Sequence, residues 1–96
     1  MTYLHRLARR IEAQVPVELV PPDSSGLFLL YAVLVRAKRN RLNAEDVHDA
    51  WVAWMEMRGE DHPSMVEFGL LRPEIQREDE PFVAALRAAA AELDSD

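Results

Sequence analysis

The sequence predicts an all-α fold: a small four-helix bundle-like domain with a long loop between helices 3 and 4. Three observations lead there. Apolar residues recur at three- and four-residue spacing in separate segments, the period of a helix with one buried face. Capping residues, prolines and a glycine stand where such helices start and stop. The one stretch with loose strand-like alternation, Val17 to Val20, has no evident second strand to pair with.

The first helix is expected from about Thr2 to Val15, with Leu4, Leu7, Ala8, Ile11 and Val15 on one face. Thr2 is a suitable N-cap, and Pro16 stops the helix because the residue before a proline avoids helical angles. "PVELVPPD" then reads as a stiff, extended connection, with a short strand left open. The second helix spans "SSGLFLLYAVLVRAKRN", with Ser24 and Ser25 as candidate caps. It is apolar on every side from Leu27 to Val35, the mark of a segment covered on most faces. In a monomer it would be the central helix; in a dimer it would line the interface.

The third helix, "LNAEDVHDAWVAWMEMRGE", has the clearest signals. Asn43 caps it, Glu45 and Asp46 place negative charge in its first turn, and Gly59 ends it. Val47, Trp51, Trp54 and Met55 form its apolar stripe, with Trp51 mid-stripe, Trp54 at a half-exposed edge and His48 flanking. On that reading Trp51 is the costlier truncation to alanine. "EDHPSMVEFGLLRPE" is a loop whose Met65, Val66, Phe68, Leu70 and Leu71 are partly buried, followed by a short helical turn from Pro73 to Arg77. Asp79 or Glu80 should cap the last helix, which holds Pro81 in its first turn and buries Phe82, Leu86, Ala89 and Leu93. The acidic tail after Leu93 is expected to fray.

Residues 1–96 make a single domain, and 49% hydrophobic with 29% charged residues fits a globular chain and not a disordered one. Its net charge of −6 conceals a split. Residues 1–42 form a basic half of net +4, and residues 43–96 an acidic half of net −10. The halves either attract one another within the fold or face different partners.

Cysteine is absent, which excludes disulfides, thiol catalysis and cysteine-based zinc sites and suits a reducing cytosol. Charges interrupt the N-terminal apolar residues, so no signal-peptide core is read. The run from Leu27 to Val35 is too short to cross a bilayer, which takes roughly 20 residues. A cytoplasmic protein is expected.

Catalysis has little to stand on. Ser24, Ser25, Ser64 and Ser95 have no legible His–Asp arrangement, and Gly26, Gly59 and Gly69 are too isolated to cradle phosphate. Glu45 and Asp49 lie one turn apart with His48 adjacent, but adjacent helical residues point about 100° apart and make a poor metal site. No catalytic residue, metal or cofactor is predicted. For nucleic acid, Arg6, Arg9, Arg10, Arg36, Lys38, Arg39 and Arg41 are candidates for a basic patch. The helix that would enter a groove begins "NAEDVHD", which phosphates repel. His48 is expected at the core edge, partnered by a carboxylate from the acidic C-terminal segment.

"HDAWVAWM", "HPSMVEF" and "PEIQREDEPF" together resemble the repeat domain of ryanodine receptors and its bacterial and phage relatives. That resemblance marks His48, Trp51, His62, Pro63, Val66, Phe68, Leu71, Gln76 and Asp79. Glu67 stands where that pattern has proline, Phe68 replaces tyrosine, and a Gly-Trp stretch is missing. Nearly the whole chain also resembles a family of short uncharacterised proteins of high-GC bacteria and their phages that share the "AEDVHDAW" core, and its preference for arginine over lysine agrees with such a source. The resemblances imply a helical module that binds or scaffolds, in which His48, Trp51 and Asp79 meet in space. The expected function is a non-enzymatic protein-interaction module, with a homodimer admitted. His48, Trp51, Trp54, His62 and Asp79 are its candidate binding residues. The alternative is a nucleic-acid-associated accessory protein using the arginine-rich half.

Overall fold

In the computed structural model, which describes Met1–Ser95, the described residues form helices and turns, with no strand. Helix α1 (Tyr3–Ala13) starts where the Thr2 hydroxyl accepts the His5 amide at 3.4 Å, and it turns Leu7, Ala8 and Ile11 inward. The stretch after Pro16, where a short strand was left open, folds instead as a 3₁₀ turn over Val17–Leu19. Three residues closing local bonds there satisfy the backbone without a partner strand.

Helix α2 (Ser25–Lys38) is the centre of the fold. It buries Leu27, Phe28, Tyr31, Ala32 and Val35 against α1 and the later helices. Its outer face keeps Val33 49% exposed, so neighbours in the same chain cover most but not all of its circumference. Ser24 sits at the N-cap position and is buried, yet its side chain makes no capping bond. A 3₁₀ turn at Arg39–Arg41 reverses the chain through a positive φ of 53° at Arg39, and Leu42 plugs into the core beyond it.

Helix α3 (Ala44–Met57) is closed at both ends by its own sequence. Asn43 and Asp46 form a reciprocal capping box, at 3.0 Å and 2.9 Å. At the other end Gly59 adopts φ 69°, and the amides of Gly59 and Glu60 return to the carbonyls of Glu56 and Met55. That is a Schellman close, which needs a residue free of left-handed strain at Gly59. A loop follows, containing a 3₁₀ turn at Phe68–Leu70, then α4 (Pro73–Gln76) and a second 3₁₀ turn at Arg77–Asp79. Val66 and Leu70 are exposed, contrary to the expectation that they are partly buried.

Helix α5 (Glu80–Ser95) runs on from the Arg77–Asp79 turn, and Glu80 keeps helical angles, so the expected Asp79 or Glu80 cap is not formed. Its small residues Ala85, Ala89 and Ala90, with Leu86, pack into the core, while Phe82 and Leu93 are half-buried. The helix continues to Ser95, and Asp94 meets Arg39 at 2.9 Å; Asp96 lies outside the described residues.

The charge split is spent partly within the fold. Arg10 reaches Glu92 at 2.9 Å, Lys38 reaches Asp46 at 2.8 Å, and Arg39 holds Asp94. Each pair joins the basic half to the acidic half.

The tryptophans exchange their expected roles. Trp54 is 5% exposed, while Trp51 is only partly buried. Trp54 packs along α2 at Gly26, where a Cβ would touch the indole at 3.5 Å, and the Arg58 guanidinium covers its ring at 4.3 Å. No single neighbour covers the inward arc of α3. Helix α2 takes the Trp54 edge, the loop takes the His48 edge, and Trp51 stands over the seam between them. Trp54→Ala should therefore cost about 3–5 kcal/mol as a core truncation, and Trp51→Ala clearly less. Chemical denaturation of the two variants measures the difference.

Candidate functional site

The seam beneath Trp51 opens into a cleft of about 270 Å³. Helix α2 contributes Leu27 and Tyr31, α3 contributes His48 and Trp51, and the loop contributes His62 and Leu71. The turn before α5 adds Glu78 and Asp79, and α5 adds Phe82. Residues distant in sequence therefore converge because α3 and α5 both pack on α2 while the loop bridges them.

His48 is 3% exposed, and its Nε2 lies 2.6 Å from the Val66 carbonyl oxygen. A carbonyl only accepts, so Nε2 carries the proton and donates. The hydrogen bond thus goes to backbone and not to the expected carboxylate, while Asp79 of the acidic segment interacts with His48 through its charge. The His48 ring stacks on Trp51, with centroids 5.8 Å apart and planes at 30°, and it tilts against Phe68 at 5.9 Å. His62 meets the Trp51 ring edge-on at 5.4 Å. The His62 Nδ1 accepts the Ser64 amide at 3.0 Å, which orients the imidazole at the cleft rim. Gln76 secures the far end of the loop by donating to the carbonyls of Phe68 at 3.0 Å and Leu71 at 3.1 Å.

The Asp79 carboxylate and the Tyr31 hydroxyl, both in the cleft, have no such partner among the described residues. Asp79 is half-buried, and burial pushes its carboxyl up to about 6, with His48 pulling it down and Glu78 adding to the rise. The Tyr31 phenol is held above its ordinary range by burial and by the Asp79 charge. Tyr31 as a residue is 2% exposed. Every sealed side-chain oxygen or nitrogen among the described residues has a partner, so the unpaired Tyr31 hydroxyl is open to the cleft.

His48, Trp51, His62 and Asp79 are thus brought together, while Trp54 lies outside the cleft, against Gly26 and Arg58. Sequence reasoning missed Tyr31 and Phe82. A hydroxyl inside the most apolar segment of the chain was the available signal for Tyr31. Three of the seven basic candidates, Arg10, Lys38 and Arg39, are drawn into ion pairs with acidic residues. Besides these pairs, Arg36 lies over the Tyr3 ring at 4.9 Å, and Arg6 reaches the Met1 carbonyl at 3.4 Å. Arg9 lines a separate groove beside α1 that also contains Glu12. Among the described residues no group of three or more His, Cys, Asp or Glu is placed to hold a metal ion. No helix of the described residues is long and apolar enough to cross a membrane.

The Asp79 carboxyl gives a signed pH dependence. Its folded pKa lies above the ordinary carboxylate value, so between about pH 4 and 6 the native state binds a proton that the unfolded chain does not. Stability from this group is therefore greatest below that window and falls as pH rises through 6. Asp79→Asn should be close to neutral near the bottom of that window. At neutral pH it should stabilise by on the order of 1 kcal/mol, discounted for the solvent that reaches a half-exposed carboxylate. Denaturation across that window, comparing the variant with the parent chain, measures it.

A family model, Domain of unknown function (DUF7701), matches residues 2–91. A search of curated proteins and a search of solved structures found no match. The match takes in all of α1 to α4 and most of α5, including every residue that lines the cleft. The chain belongs to the DUF7701 family, a domain whose function is not assigned.

Proposed function

We propose that this domain is a non-enzymatic interaction module that engages a protein partner through the cleft under Trp51. The observation that carries the reading is the convergence of His48, Trp51, His62 and Asp79, together with Tyr31, on one opening. The position suits an anchor site: a partly buried aromatic ring stands at the rim, and acceptors without internal partners lie below it. Partly exposed aromatics beside a pocket are favoured anchors for partners. The resemblance to the ryanodine-receptor repeat domain supports the same residues, since it marks His48, Trp51, His62 and Asp79. The half-exposed outer face of α2 around Val33 is the surface a homodimer would use.

Affinity capture from the native host tests this reading against the nucleic-acid alternative. A partner held by the cleft should be recovered with the parent chain and with the Arg9→Glu, Arg10→Glu double variant. It should be lost with Trp51→Ala, once circular dichroism has shown that this variant folds. Retention on duplex DNA at low salt that disappears with the arginine double variant, while Trp51→Ala has no effect, would transfer the function to the basic half. Light scattering reports the oligomeric state in the same preparations.

A further inference from the structure

We propose that the cleft is a receptor for an organic cation, an alkylammonium or guanidinium group, seated against the Trp51 and His48 rings with the Asp79 carboxylate and the Tyr31 hydroxyl oxygen as its acceptors. The proposal rests on the reading of the cleft as a binding site and names the chemistry it selects.

Five features point the same way. The walls are aromatic, with Trp51, His48, His62, Tyr31 and Phe82 around a small opening, and ring faces attract cations. The charged side chains that line it are Glu78 and Asp79, with no arginine or lysine among the lining residues, so an anion is repelled and a cation is drawn in. Asp79 takes part in none of the ion pairs of the described residues and accepts no hydrogen bond there. Tyr31 is almost wholly buried, yet its hydroxyl faces the cavity without a protein partner. Both groups keep free acceptor capacity at the opening, which a bound donor can take up. Finally, about 270 Å³ accepts the end of a lysine or arginine side chain or a small amine, and it is below the usual range for cofactor sites.

The groups that face Asp79 are Tyr31 from α2, His48 from α3, His62 from the loop and Glu78 from its own turn. As pH falls, Asp79 gains a proton and its attraction for a cation is lost. His48 interacts with the Asp79 charge, so the part of the pH profile that vanishes in Asp79→Asn reports the carboxylate together with that coupling.

The experiment uses the full chain, labelled with nitrogen-15. The two indole N–H signals are built-in reporters: Trp51 stands at the cleft and Trp54 does not. The probes are N-acetyl-arginine amide, N-acetyl-lysine amide and butylammonium, against neutral N-acetyl-norleucine amide and anionic N-acetyl-glutamate amide. The cations should shift the Trp51 signal saturably and leave Trp54 in place. Asp79→Asn should weaken binding about tenfold or more. Affinity should fall from about pH 7.5 to about pH 5 in the parent chain and show a smaller fall in the variant. Both amino-acid amides binding more tightly than butylammonium points to a partner's side chain, and the reverse points to a free amine; either result supports the cation assignment. Equal binding of the neutral or anionic probe, or an unaltered affinity in Asp79→Asn, overturns it while leaving the cleft a binding site. Silence toward the cations at millimolar concentration also overturns it, and the capture experiment then decides separately whether the cleft binds a partner.

Discussion

The hydrogen bond from His48 to the Val66 carbonyl is the constraint on which the cleft depends. The loop between α3 and α4 has only a single 3₁₀ turn of its own at Phe68–Leu70, and ordering each of its residues costs about 1–2 kcal/mol of backbone freedom. Few contacts hold it. His48 grips the middle, Gln76 ties two carbonyls at the end, and Phe68 leans on the His48 ring. A single hydrogen bond contributes about 0.5–1.5 kcal/mol net, so its importance lies in position more than in strength. It decides where His62 and Leu71 stand, and hence whether the seam beside Trp51 is a walled cleft or an open slope.

The domain divides its labour between a frame and an aperture. The frame is α1, α2 and α5 with most of α3, packed through Ile11, Phe28, Val35, Val47, Leu86 and the alanines of α5. Its polar business is settled locally: caps close α1 and α3, and three ion pairs join the two oppositely charged halves. Exposed pairs of that kind contribute little singly, but together they hold α5 and the start of α3 in register with the basic half. At the aperture the accounting is reversed. There the Asp79 carboxylate and the Tyr31 hydroxyl make no hydrogen bond to another described residue, although the Tyr31 ring packs on Phe28 and Phe82.

What the sequence made legible follows from how local each signal is. The ends of α1 and α3 were readable because caps, Pro16 and Gly59 act within a few residues. The clustering of His48, Trp51, His62 and Asp79 was visible only through a resemblance, because no periodicity links a helix, a loop and a turn. The Trp51 and Trp54 assignment failed because a helix wheel locates the inward arc but not the joints between the neighbours that cover it. Trp51 faces such a joint, whereas Trp54 meets α2 squarely at Gly26. Tyr31 was hidden in an apolar run, where composition suggested only core.

Lys38 is the only lysine, and its ammonium is engaged at 2.8 Å with Asp46, the same carboxylate that closes the α3 capping box. Acylating reagents that couple dyes, biotin or resin through lysine would thus neutralise the charge that steadies the start of the helix carrying His48 and Trp51. Attachment through a cysteine introduced on the exposed side of α5 starts from a chain with no competing thiol, and leaves that hinge of the architecture untouched.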